Sequence, residues 1–146
     1  MMKEQCLQQL SQINNMSSQE LHFIIVDDST LDCFITEKII RNTTICASVK
    51  SFAEPLKALE FLETNPFDGI KTVMIVDIYM PLMNGFEFIE AFEKFPEEVR
   101  DNYLVYMLSS SINENDMNRV ANYQSVKYFL NKPLKIDLLL KLINPD

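Results

Sequence analysis

Five residues of this 146-residue chain have the types and spacing that phosphorus chemistry asks for: Asp27 and Asp28, Asp77, Ser109 and Lys132. Each closes or follows a short apolar run: "FIIV" before the acidic pair, "TVMIV" before Asp77, "YLVYML" before Ser109 and "VKYFL" shortly before Lys132. Two neighbouring carboxylates at the end of a buried run repel one another and resist desolvation, so a cation must compensate them. Three converging carboxylates make a hard-oxygen site suited to Mg²⁺, which takes oxygen ligands at ~2.0–2.1 Å and keeps several waters. A carboxylate such as Asp77 can also attack phosphorus and form an acyl phosphate once the charge of the incoming oxygens is neutralised. Lys132 would then pair with one phosphoryl oxygen as a compact point charge, and the Ser109 hydroxyl would donate to another.

Each residue taken singly has a plainer use. Asp28 or Ser29 caps a helix, Asp77 forms a turn with Gly85 loosening the chain behind it, Ser109 sits in a loop, Lys132 is solvated and Phe129 belongs to the core. What outweighs these uses is joint placement, and that depends on the elements between them. "HFIIVD" reads as a first strand, followed by a helix burying Leu31, Phe34, Ile35 and Ile39 at three-and-four spacing. "ICASVKSF" is a second strand, and "AEPLKALEFLETN" a helix with Leu56, Leu59 and Leu62 on its inner side and Pro55 in its first turn. "KTVMIVD" is the third strand, followed by a helix with Phe88, Ile89, Phe92 and Phe95 inward. Then come "YLVYML", a polar helix near Asn113 to Asn122, "VKYFL", and a last helix from Leu134 to about Ile143. Strand and helix alternate five times, the pattern of a doubly wound α/β fold whose parallel sheet is covered on both faces. Ligands of such folds sit beyond the carboxyl ends of the strands, where all five residues fall.

Composition narrows the function. A net charge of −8, from 21 acidic and 13 basic residues without a basic patch, opposes direct nucleic-acid binding. Cys6, Cys33 and Cys46 lack metal or disulfide spacing and read as reduced thiols of a cytoplasmic protein. No apolar run approaches membrane-spanning length, and the opening "MMKEQCLQQLSQINN" is too polar for a secretory signal. Residues 1–20 read as a polar N-terminal extension, with Met16 as an internal start, and residues 21–146 as one domain. With only Gly69 and Gly85, a P-loop or dinucleotide site is excluded.

The motifs "VDDS", "VDIYMPLMNG", "YMLSSS" and "FLNKPL", in that order, resemble those of response-regulator receiver domains of two-component signalling, from about His22 to Ile143. The resemblance implies a flavodoxin-like receiver fold with five helices and strand order 2-1-3-4-5. It also implies roles: Asp77 as phosphoacceptor, Asp27, Asp28, Asp77 and the backbone carbonyl of Tyr79 as Mg²⁺ ligands, Lys132 on the phosphoryl group, and Ser109 and Phe129 as the switch pair. The implied donor is a phosphohistidine on a histidine kinase or histidine phosphotransfer protein. The implied output is a changed surface on the fourth helix, fifth strand and fifth helix that binds a downstream protein. His22, the only histidine, is placed before the first strand and is no donor. On its length the chain is expected to carry no output domain, as in stand-alone receivers, and Lys132–Pro133 offers a site for a cis peptide. A small metal-dependent phosphotransferase or phosphatase is the rival reading, though a D-x-D pair and a covering cap are missing; an interaction-only receiver is a third.

Two residue-level expectations go further. Tyr79 and Ser111 flank the phosphorylation site, and the bulk of Tyr79 is expected to hinder in-line water and lengthen the phosphorylated state. In the last helix, "LKIDLLLKLI", apolar side chains at about 100° per residue cover roughly 240° of the surface. That is about twice what one sheet face needs, so Leu140 and its neighbours are expected in a homodimer or partner contact.

Overall fold

The computed structural model describes residues 20–111 and 113–143. The opening segment through residue 19, with Cys6 and the internal-start reading of Met16, lies outside them. In chain order the elements are β1 (Leu21–Val26), α1 (Thr30–Arg41), β2 (Cys46–Phe52), α2 (Pro55–Thr64), β3 (Thr72–Asp77) and α3 (Gly85–Phe92). They continue with α4 (Glu97–Arg100), β4 (Tyr103–Ser109), α5 (Glu114–Val120), β5 (Val126–Asn131) and α6 (Ile136–Ile143). Among the described residues there are thus six helices rather than five, the addition being the four-residue α4, which begins after Pro96. The strands form one parallel sheet in the order β2-β1-β3-β4-β5, as expected.

The run of β-branched and aromatic residues in β1, β3 and β4 is what a strand covered on both faces requires. Ile24, Val26, Met74, Val76, Val105 and Met107 face Ala58 and Leu62 of α2, Phe88, Ile89 and Phe92 of α3, and Val120 of α5. Their neighbours in sequence, Phe23, Ile25, Val73, Ile75, Tyr106 and Leu108, turn to the opposite face against Cys33 and Ile40 of α1 and Leu139 of α6. Burying one side chain of this size contributes roughly 1.5–3 kcal/mol, so two such layers hold the sheet and fix which rim its strand ends occupy.

Two helices exist where expected but are rotated from the expected side: Leu62, and in part Leu59 and Ile39, face the core as expected, while others turn outward. In α1 the buried residues are Cys33, Thr36 and Ile40, while Leu31 and Phe34 are 65% and 61% exposed and Ile35 is also exposed. In α2 the buried residues are Pro55, Ala58 and Leu62; Leu56 is exposed and Leu59 half-buried. Small residues at the same three-and-four spacing let these helices lie close to the sheet, so the larger side chains one position away turn outward. His22 lies inside β1, not before it. Its ring bonds Ser48 Oγ at 2.6 Å and Asp68 Oδ2 at 2.8 Å, pinning β2 and the segment before β3 at the rim opposite the strand ends that carry the aspartates. No helix among the described residues is long and apolar enough to cross a membrane.

Candidate functional site

The acidic doublet is held by the start of α1. Ser29 caps that helix, its Oγ accepting from the Asp32 amide at 3.1 Å, and the Ser29 amide donates to Asp27 Oδ1 at 3.0 Å. Asp27 is buried and Asp28 exposed, because the first continues the strand and the second begins the turn. Asp77 ends β3 and is also buried. One carboxylate oxygen from each of Asp27, Asp28 and Asp77 can be chosen so that all lie within 4.8 Å of one another. The sequence expectation that these three gather therefore holds in space, and their oxygen-only donor set fits a hard divalent cation such as Mg²⁺.

Backbone geometry behind Asp77 depends on Gly85. Its amide donates to Ile78 O at 2.8 Å, and a Cβ built there would lie 2.4 Å from the Asp77 carbonyl oxygen. This glycine serves a close approach of α3 to the end of β3, which replaces the flexibility expected of it. Asn84 and Glu87 form a reciprocal cap at the start of α3. Between strand and helix, Leu82 takes a φ of 69° as the Met83 amide reaches back to Pro81 O at 2.7 Å. Such a tight positive-φ turn is strained for a branched side chain.

Lys132 extends the β4–β5 pairing by one bond, its amide donating to Ser109 O at 2.9 Å, and a cis Lys132–Pro133 peptide follows. Its ammonium lies 2.8 Å from Asp27 Oδ2, 2.8 Å from Asp32 Oδ2 and 3.3 Å from Asp77 Oδ1. Asp32 is the site residue that the strand ends alone do not disclose: it lies in the first turn of α1, 100 positions before its lysine. Burial alone would lower the Lys132 pKa, but the hydrogen bonds to Asp27 and Asp32 and the charges of Asp27 and Asp77 together raise it well above its usual range. Asp77 goes the other way from an ordinary carboxyl. Burial, then the Asp27 charge, push it up from 3.8 to about 6 against the opposing pull of Lys132.

The remaining expected residues border this cluster. Ser109 is fully buried, its hydroxyl donating to Ser111 O at 3.1 Å and accepting from the Ser111 amide at 3.3 Å. Phe129 is half-buried and packs on the layer that holds α5. Tyr79 is exposed, and its hydroxyl donates to Asp116 at the start of α5; that bond raises the phenol's pKa. Leu140 of α6 packs partly into the core, and the exposed apolar residue of that helix is Leu138. Cys33 is buried, with its thiol on the Asp27 carbonyl at 3.2 Å and its pKa pushed up to about 11, chiefly by burial. It is a packing residue beside the site.

The sequence matches the family model described as "Response regulator receiver domain" over residues 23–144. It is similar to the two-component response regulator ARR3 of Arabidopsis thaliana, 30% identical over 130 residues, covering 83% of this chain and 53% of that protein. A second relative, ARR16 of Arabidopsis thaliana, is 28% identical over 134 residues, covering 85% of this chain and 79% of its own length. The chain thus spans about half the length of the first of these relatives and most of the second. Its fold is similar to that of a response regulator receiver protein from Dyadobacter fermentans, with a TM-score of 0.80 and 34% identity, covering 86% of this chain and 96% of that one. A family match that begins at the third residue of β1 and runs past the end of α6 spans nearly the whole described fold, and the chain belongs to the response-regulator receiver domain family of two-component systems.

Proposed function

We propose that residues 21–146 act as a phosphoacceptor switch, receiving a phosphoryl group on Asp77 from a phosphohistidine of a histidine kinase or histidine phosphotransfer protein. The observation that carries this reading is the buried Asp77 carboxylate, within 3.3 Å of the Lys132 ammonium and beside two further carboxylates. An Asp77 oxygen bonds to phosphorus as the phosphorus–nitrogen bond of the donor breaks; the imidazole nitrogen keeps the electron pair and takes up a proton. Lys132 donates to one phosphoryl oxygen, and Ser109, once it releases the Ser111 carbonyl, donates to another. Bound by Asp27, Asp28, Asp77 and the Tyr79 backbone carbonyl, Mg²⁺ would neutralise charge on the phosphoryl oxygens. Water reverses the modification by attacking phosphorus, releasing inorganic phosphate and restoring the carboxylate. Tyr79, two residues past Asp77 and bonded through its hydroxyl to Asp116, would obstruct that water by its bulk.

The output reading rests on exposed apolar residues. Met117 of α5, Tyr128 of β5 and Leu138 of α6 are all exposed large side chains on the elements that Ser109 and Phe129 adjoin. A phosphoryl group shifts this face only by as much as it prefers one arrangement over the other. The downstream protein binds there in the cytoplasm, and a homodimer through the last helix would use Leu138 rather than Leu140. Sedimentation showing a concentration-independent monomer would remove the dimer. A groove of about 220 Å³ lined by Asp32, Ile35, Thr36, Ser110, Lys132 and Pro133 holds the lysine that contacts Asp77, and we assign it to the protein phosphodonor. Residues 1–20 are an extension outside the switch.

Incubation with acetyl phosphate and Mg²⁺ followed by intact mass tests the function. One lasting phosphoryl adduct, absent in Asp77→Asn, is expected. Continuous phosphate release without an adduct favours the phosphatase reading instead, and no reaction of either kind favours an interaction-only receiver.

A further inference from the structure

Asp32 reaches Lys132 as closely as Asp27 does, 2.8 Å in each case against 3.3 Å for Asp77. A lysine ammonium has three N–H bonds, and three carboxylates surround this one. A phosphoryl oxygen arriving on Asp77 can take over the donor that faces Asp77 at 3.3 Å, but the ammonium can close on it to full hydrogen-bond distance only if one of the two shorter contacts loosens. Asp27 is poorly placed to yield, being buried with its second oxygen bound by the Ser29 amide. The Asp32 side chain is 37% exposed and can exchange Lys132 for water at the least cost. Charge points the same way: Asp27, Asp28, Asp32 and Asp77 already set four carboxylates against one ammonium, and a phosphoryl group adds more negative charge.

We infer that Asp32 is an intramolecular competitor for Lys132, holding the ammonium in the resting protein and giving it up to the phosphoryl group, so that it slows phosphorylation of Asp77. It is a positioning residue that acts through Lys132, and the inference rests on Asp77 being the acceptor. The substitution Asp32→Asn keeps the helix cap, because Ser29 is bonded by the Asp32 backbone amide and not by its side chain.

The test compares initial rates of adduct formation with phosphoramidate and Mg²⁺, read by intact mass. Asp32→Asn should react roughly three to ten times faster than the parent, the range spanned by half-exposed ion pairs and charged hydrogen bonds. Asp32→Glu, which keeps the charge, should return most of the way to the parent rate. In a Lys132→Ala background the acceleration from Asp32→Asn should fall towards unity, since the contact it relieves is gone. A rate for Asp32→Asn at or below the parent's overturns the inference, as does an acceleration that persists undiminished without Lys132. A parent that gains no adduct removes the acceptor reading as well; a parent that gains one while Asp32→Asn is no faster removes only the role of Asp32.

Discussion

Replacing Asp77 with asparagine should stabilise the metal-free protein at neutral pH. The native carboxyl is buried beside Asp27 and titrates at about 6 instead of 3.8, so its charged form is disfavoured by folding. The sign follows from proton uptake. Between these two values the folded state binds more protons at Asp77 than the unfolded chain, so the parent loses stability as pH rises through the window. The burden is complete above about 6 and absent below 3.8. A tenfold change in population per pH unit over that interval sets an upper limit of about 3 kcal/mol. The variant also loses a 3.3 Å contact to Lys132, which retains its two shorter ones, so a net gain of about 1–2 kcal/mol is expected at pH 7.5. For a domain of this size that is roughly 3–10 °C in Tm. Thermal unfolding in chelator from pH 3.5 to 8 reads both quantities, and Mg²⁺ should narrow the gap by stabilising the parent. An asparagine variant less stable than the parent at neutral pH, or a gain unchanged at pH 3.5, would show that burial of the Asp77 charge does not destabilise the fold.

Other perturbations probe the same cluster. Lys132→Met removes the cation shared by Asp27, Asp32 and Asp77, and should destabilise by about 3 kcal/mol or more at pH 7.5 in denaturant unfolding, with partial recovery on adding Mg²⁺. Gly85→Ala presses a methyl group to 2.4 Å from the Asp77 carbonyl oxygen and should cost about 1–3 kcal/mol by the same measurement, since α3 or β3 must move. Tyr79→Ala should shorten the lifetime of the phosphorylated protein, followed as decay of the adduct after donor removal; decay no faster than the parent's would exclude steric shielding of the phosphate.

The strand ends were the legible part of this molecule. Buried parallel strands impose continuous apolar runs, so Asp77 and the Asp27–Asp28 pair stand out as breaks, and the right-handed winding of the fold brings those breaks to one rim. Helix faces were less legible. Cys33, Thr36 and Ala58 carry little hydrophobic signal, yet their small size is why α1 and α2 dock through them and leave Leu31, Phe34 and Leu56 outside. Asp32 looks like a first-turn acid favoured by the helix dipole. Its alliance with Lys132 spans 100 residues and leaves no local pattern; its place one turn beyond the acidic doublet was the only hint. Gly85 was visible as a glycine, but its purpose depends on how closely α3 packs behind Asp77. The short α4 has too few residues for a periodic signal, though Pro96 and two glutamates mark its start.

Phosphoryl transfer to Asp77 from a phosphorus–nitrogen bond, with the help of a divalent cation, can be tested in one step. Phosphoramidate carries that bond without requiring a partner protein, and peptide mapping of the product identifies the modified residue. One phosphoryl group per chain, on Asp77, formed with Mg²⁺ and suppressed by chelator, is expected; modification at another residue, or none at all in the presence of Mg²⁺, would rule out Asp77 as the acceptor.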